Sequence, residues 1–209
     1  MKQLFMTLIG ILCIATSCKY ELKEREEPIT VPKKLEHRLS KTDSLKKKFK
    51  PDTTIAGICL LNSKKVDSIL GNNVMERLVH KGLPNTSVVS RDSEQLLTIY
   101  FHPGNEAKEF SEFHVAHAVG TEEKELAMKE NEFKTESGIR LGMTAGQLKA
   151  IKGEPHRITN MDNATVLHYR VDDFKTSKFL KRYNMPVYYA DYEFSNGHLR
   201  AFKFGFEYP

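Results

Sequence analysis

Gly138-Ile139-Arg140-Leu141-Gly142-Met143-Thr144-Ala145-Gly146-Gln147-Leu148-Lys149-Ala150-Ile151-Lys152-Gly153 is the stretch on which the reading of the fold turns. Thr144 is placed to cap a helix, and Gln147 stands three residues on, as a capping box requires. Met143 before the cap and Leu148 four after it are spaced to close a hydrophobic staple. Gly153 suits the left-handed residue that ends a helix, and Pro155 prevents its resumption.

A weaker version lies upstream in Gly57-Ile-Cys-Leu-Leu-Asn-Ser-Lys-Lys-Val-Asp-Ser-Ile-Leu-Gly71. With one residue deleted, Gly57, Ile58, Leu60, Val66, Ile69 and Gly71 align with Gly138, Ile139, Leu141, Leu148, Ile151 and Gly153. Asn62 would cap this copy and Leu61 and Val66 would staple it, while Lys65 replaces the glutamine and leaves the capping box incomplete. β-rich sequence follows each copy. Thr86–Ser90, Gln95–His102 and Phe110–Val119 read as strands in the first half, with a turn signal at His102-Pro-Gly-Asn105. Thr165–Val171, Val187–Ser195 and His198–Glu207 do so in the second. Asn196-Gly197 is the best hairpin signal, since a type I′ turn wants positive φ at both residues. The expected class is α+β: two units, each a helical segment packed on an antiparallel meander. The expected divisions are a signal at 1–17, a lipidated basic tether at 18–50, a first unit at 51–120, an acidic linker at 121–136 and a second unit at 137–209.

The beginning of the chain carries the location signal. After Met1-Lys-Gln, Leu4–Ile14 is an 11-residue uncharged run. That is too short for a membrane-spanning helix, which needs roughly 20 apolar residues, and it fits a signal-peptide core. It ends in Ile14-Ala15-Thr16-Ser17-Cys18, which resembles a bacterial lipobox. The resemblance implies diacylglycerol on the Cys18 thiol, cleavage after Ser17 and acylation of the new N-terminus. Several acyl chains anchor firmly where one does not. Lys19 follows the cysteine where some proteobacterial lipoproteins carry an inner-membrane retention aspartate, so the outer membrane is expected. The plainer alternative is an ordinary secretory signal with an incidental cysteine. Once Cys13 is removed and Cys18 lipidated, Cys59 has no partner for a disulfide and reads as a small buried hydrophobe.

The formal charge of +5 does not argue for nucleic acid. Lys19–Lys50 hold 11 Lys and Arg against 6 Asp and Glu, and Lys2 adds one more positive charge, which leaves −1 for Asp52–Pro209. A folded reader of nucleic acid would carry basicity on its own surface. The segment is poor in large apolar residues and cannot offset its ordering entropy. As a coil it would extend roughly 30 Å, serving as a spacer or as a contact for anionic headgroups.

Gly142-Met143-Thr144, Gln147-Leu148, Gly153-Glu154-Pro155, Tyr169 and Asn196-Gly197-His198-Leu199 resemble the SmpA/OmlA lipoproteins. These include the BamE-type subunit of the outer-membrane β-barrel assembly machine, and their broad fold is shared with tandem-repeat β-lactamase inhibitory proteins. The resemblance spans about Ser137–Tyr208, with a weaker echo in Gly57–Val119. It implies a fold and an envelope role, not a reaction.

No catalytic constellation stands out, and a noncatalytic protein without cofactor or metal is expected. His114 and His117 form H-x-x-H, but on a strand that spacing sends the rings to opposite faces. Ser87, Ser90, Ser93 and Ser195 lack a nucleophile-elbow context. The glycines form no phosphate loop, and Asp172-Asp173 cannot face one substrate together. His156, His168 and His198 read as solvated or hydrogen-bonded. Aromatic residues crowd the last stretch, and Phe202, Phe204, Phe206 and Tyr208 would share one strand face. That face is either a helix-covered core or a grip for a partner. In the second case Tyr183, Tyr188 and Tyr189 are the candidate contacts, rimmed by a loop Lys175–Met185. The expected function is a membrane-anchored envelope lipoprotein that binds a protein partner, with a role in outer-membrane assembly. A periplasmic inhibitor or immunity protein directed at an enzyme or toxin is the alternative.

Overall fold

The computed structural model describes residues 48–62, 66–70, 84–102, 109–120 and 126–207. The signal segment, Cys18 and the tether through residue 47 lie outside them, as do Gly71 and Tyr208. A small hairpin comes first, β1 (Thr54–Ile55) and β2 (Ile58–Cys59), followed by a short helix α1 (Val66–Leu70). Then come β3 (Asn85–Val89), β4 (Gln95–Phe101), β5 (Phe110–His117) and β6 (Leu126–Ala127). After α2 (Ala145–Lys152) the chain forms β7 (Arg157–Met161), β8 (Ala164–Val171), α3 (Lys178–Tyr183), β9 (Val187–Ser195) and β10 (His198–Glu207).

The local signals around α2 are realised. Thr144 Oγ1 accepts from the Gln147 amide at 3.3 Å, and Gln147 Oε1 accepts from the Thr144 amide at 2.9 Å. Gly153 has φ 81° and donates its N–H to the Lys149 carbonyl. The Tyr169 hydroxyl also pins that end, donating to the Gly153 carbonyl at 2.8 Å. Asn196 and Gly197 both adopt positive φ, 51° and 78°, and turn β9 into β10.

The larger architecture departs from two α+β units. The strands form one eight-stranded sheet in the order β6-β3-β4-β5-β10-β9-β8-β7, mixed only through the parallel β3–β6 pair. The two meanders meet edge to edge where β5 pairs antiparallel with β10, from Ala116–Ala201 to Glu112–Gly205. The described part is thus predominantly β, and the resemblance to the SmpA/OmlA lipoproteins and the tandem inhibitory proteins does not hold. The reason lies in the two meeting strands. Each carries an apolar row, Phe113 and Val115 on one and Phe202 and Phe204 on the other, and each would leave an unpaired ladder exposed if it ended a separate sheet. Among the described residues the helices, of five, eight and six residues, are too short to cover two sheets. The β1–β2 hairpin and the irregular chain at 128–144 cover one face of the single sheet instead, delivering Ile55, Ile58, Met128, Phe133, Ile139 and Leu141 to the common core.

Two adjacent rows of residues cross seven strands and define the two faces. On the inner face Val88, Leu97, Val115, Phe202, Tyr192, Leu167 and Ile158 stand side by side. One position along each strand, Ser87, Thr98, His114, Lys203, Asp191, His168 and Arg157 form the outer row. The aromatic stripe Phe202, Phe204 and Phe206 is therefore core, at most 2% exposed. The segment expected as a rim loop is helical instead, because Ser177 Oγ accepts from the Leu180 amide and Asn184 closes the helix in the left-handed conformation. Phe179 on α3 packs against Phe206 and Tyr188.

Among the described residues one buried side-chain polar group is unsatisfied. The hydroxyl of the fully buried Tyr192 has no hydrogen-bond partner, although its ring packs edge-on against Tyr169. A buried polar group left unpaired costs about 1–3 kcal/mol. Tyr192→Phe is therefore expected to stabilise the protein by about 1 kcal/mol, read as a higher urea midpoint at unchanged slope. A lower midpoint would mean that an ordered water holds the hydroxyl.

Candidate functional site

Strand alternation places a second polar row beside the first: Asn85, Tyr100, Glu112, Gly205, Tyr189 and Arg170. Together the rows make a broad outer face whose side chains are mostly half-buried, in contrast to the buried row beneath them. Gly205 is the gap in it. The Tyr189 hydroxyl on β9 reaches across β10 to Glu112 on β5. Lys203 lies over the Tyr189 ring, 5.6 Å from its centre, and its Nζ sits between Glu112 at 3.9 Å and Asp191 at 3.8 Å. Burial and the Glu112 carboxylate push the Tyr189 phenol far above its ordinary value. Burial holds the His114 imidazole below its ordinary value, Glu112 opposing and Lys203 reinforcing that shift.

Toward β7 the face holds a hydroxyl–imidazole–carboxylate chain. His168 Nδ1 lies 2.7 Å from Asp191 Oδ1, and Nε2 lies 3.0 Å from Thr159 Oγ1. For the neutral imidazole, Nδ1 donates to the carboxylate and Nε2 accepts from the hydroxyl. The order of groups resembles a nucleophile, base and orienter. Thr159 pairs with Val166 in a hairpin closed by the two-residue turn Asp162-Asn163, so its own N–H points into the β8 ladder. An oxyanion would need such a donor free. The chain of contacts satisfies a half-buried histidine and fixes its ring.

A cleft of about 570 Å³ opens here, lined by Arg157, His168, Arg170, Tyr189, Asp191 and Lys203 among others. Arg170 is held by Glu207, with Nη2 donating to Oε2 at 2.9 Å, and by Asp172 at 3.1 Å. Arg200 pairs with Glu193. Among the described residues, no group of three His, Cys, Asp or Glu side chains is arranged to hold a metal ion.

The candidate tyrosines separate. Tyr188 is fully buried on the inner face and donates its hydroxyl to the Asp52 carbonyl at 2.7 Å, so it cannot touch a partner. Tyr183 packs against Phe206 and Phe179 beside a second cleft of about 660 Å³ that also contains the partly exposed Cys59. Tyr189 alone of the three lies on the outer face and in the first cleft. Sequence reasoning missed Glu112, Arg157, Lys203 and the His168 contacts. The usable signal was parity, since His168 and Arg170 alternate with Leu167 and Tyr169, as Asp191 does with Ala190 and Tyr192.

No family model matches the chain, and no curated protein matches it. Among solved structures, it shows a likeness to the DUF4309 family protein YjgB from Bacillus subtilis subsp. subtilis strain 168. The TM-score is 0.39 and the identity 12%, over 79% of this chain and 92% of that one. A likeness of that size transfers neither fold nor function.

Proposed function

We propose that the chain is a lipid-anchored cell-envelope protein whose outer sheet face docks a protein partner without catalysis. The observation that carries the reading is the polar row running unbroken across seven strands. It is half-exposed and backed by a rigid aromatic core. The outer face around it carries both signs: Arg157, Arg170, Arg200 and Lys203 lie among Glu112, Asp191, Glu193 and Glu207. A polyanion would be repelled by half of these, whereas a protein surface of mixed charge can match both signs. Tyr189 and the arginines supply residue types favoured at such interfaces. The anchor rests on the lipobox at Cys18, outside the described residues. Among the described residues no helix is long and apolar enough to cross a membrane.

A photoreactive amino acid in place of Thr98 or His114 is expected to give a discrete adduct with an envelope protein in cells. The same group in place of the exposed Lys129 should give none. Adducts of equal yield from all three positions would reject the docking face. Cys18→Ala is expected to release the protein from the membrane fraction, and retention there would reject the anchor.

A further inference from the structure

Among the described residues β7 is the unpaired edge at one end of the sheet, whereas β6 at the other end is only two residues long. Long-lived edges are usually blunted by lysine, proline, a bulge or a cover. Arg157-Ile-Thr-Asn-Met161 contains no lysine or proline, and its pairing with β8 runs without a register shift. Four of its five residues are exposed, and two of the four large hydrophobics exposed in the described protein belong to it, Ile158 at 47% and Met161 at 51%.

The hairpin also fixes which backbone groups are free. With Met161–Ala164 closing a two-residue turn, the N–H and C=O of residues 157, 159 and 161 face β8. Those of Ile158 and Asn160 therefore point outward. A second copy, related by a two-fold axis at Thr159, matches this pattern. Ile158 would exchange both backbone hydrogen bonds with Asn160 of the second copy, and Asn160 with its Ile158. On the outer face Thr159 meets its own symmetry mate, a favoured cross-strand pair, and Arg157 lays its aliphatic stem against Met161. On the other face the two Ile158 side chains approach diagonally. Within the five paired residues no like charges face each other.

We infer that β7 is a self-association edge through which two copies pair antiparallel, joining their sheets into one of sixteen strands. The strand contact is smaller than a standard interface, so the association is transient. The contact runs through the backbone edge and reaches the outer face only at β7, so trapping at position 159 and crosslinking from Thr98 or His114 test the two readings separately.

Disulfide trapping tests both the pairing and its register, using the full chain with Cys13→Ser, Cys18→Ser and Cys59→Ser and diamide as oxidant. Facing Thr159 positions form a non-hydrogen-bonded pair with Cα atoms about 4.5 Å apart, within disulfide reach. Thr159→Cys is expected to give a covalent dimer. In Met161→Cys the equivalent positions lie four residues apart, roughly 13 Å along the strand, and the dimer should fall at least tenfold. Asn160→Pro, which removes the outward N–H together with the exposed side-chain acceptor of the Thr165 hydroxyl, should suppress trapping through Thr159→Cys while lowering the melting temperature by no more than the loss of that one exposed hydrogen bond. Ile158→Lys, which brings two like charges together, should do the same and covers the case in which the proline variant folds poorly. Equal dimer yields from positions 159 and 161, or trapping unaffected by both edge variants, would overturn the inference. Trapping of a different protein through position 159 would do so too.

Discussion

Lys152→Met is expected to cost about 3–5 kcal/mol, the usual penalty for stranding one member of a buried ion pair. Lys152 is 1% exposed and Asp52 is 2%, with Nζ 2.7 Å from Oδ2. Nζ also donates to the Lys50 carbonyl at 2.9 Å and lies 5.8 Å from the centre of the Phe49 ring. Removing the ammonium leaves the Asp52 carboxylate buried with the Ser137 hydroxyl, 2.8 Å from Oδ2, and leaves the Lys50 carbonyl without that donor. Burial pushes the Lys152 ammonium below its ordinary value and Asp52 pulls it back, so the pair depends on both charges being present.

The double variant Asp52→Asn with Lys152→Met is expected to recover most of the loss. It removes both charges while keeping an acceptor for Ser137. Urea midpoints at constant slope give the cycle. Additive losses, or a single-variant cost below about 1 kcal/mol, would show that the two groups are not paired in a dry site. The local consequence is also measurable. Glu136 takes the amides of Thr53 and Thr54 at 2.6 and 2.9 Å, and Phe49 packs 4.8 Å from Tyr169. Amide exchange at Thr53 and Thr54 should therefore accelerate more than exchange at the centre of β10, because segment 48–54 loses its tie to α2 before the sheet opens.

What the sequence disclosed follows from where the controlling interactions lie. Val187–Ser195, His198–Glu207 and the capped α2 were readable because alternation, the Asn196-Gly197 turn and the Thr144–Gln147 box act over a few residues. The aligned segments share two single-residue features: Gly57 and Gly138 both take positive φ, and Ile58 and Ile139 are both fully buried. Yet both copies feed one core, since local pattern does not say which strand edge meets which. β7 escaped notice because an edge strand need not bury alternate side chains. The basic residues of α3 give Lys175–Met185 the look of a loop, and only the Ser177 cap marks the helix. Lys152, in the last turn of a helix, looks like a favourable partner for the helix dipole, and nothing nearby in sequence announces Asp52. The outer face was legible only as parity, and Tyr188 and Tyr189 could not be told apart until β9 had two neighbours.

The seam itself supplies the sharpest structural test. Gly205→Ala is expected to destabilise by about 3 kcal/mol or more, at or beyond the upper end for overpacking. A Cβ there would fall 2.4 Å from the Ser111 carbonyl oxygen, 2.8 Å from Glu112 Cα and 2.9 Å from Glu112 Cβ. Two of these atoms are backbone, so no rotamer change relieves the contact and β5 must move away from β10. Among the described residues those two strands carry the only pairing between the β3–β6 group and the β7–β10 group. The same movement would stretch the Tyr189–Glu112 bond, which crosses the vacant side of Gly205. The control is Ala201→Gly at the other end of the same seam, where lost strand propensity alone costs roughly 0.5–1 kcal/mol. No single substitution at Glu112 should rescue Gly205→Ala, because the nearest atom belongs to Ser111. Faster amide exchange along Glu112–Ala116 and Ala201–Gly205, with β3–β4 and β8–β9 less affected, would place the damage at the seam. A Gly205→Ala protein as stable as the parent would mean that β5 and β10 are not joined in this register, and the single sheet would have to be divided again.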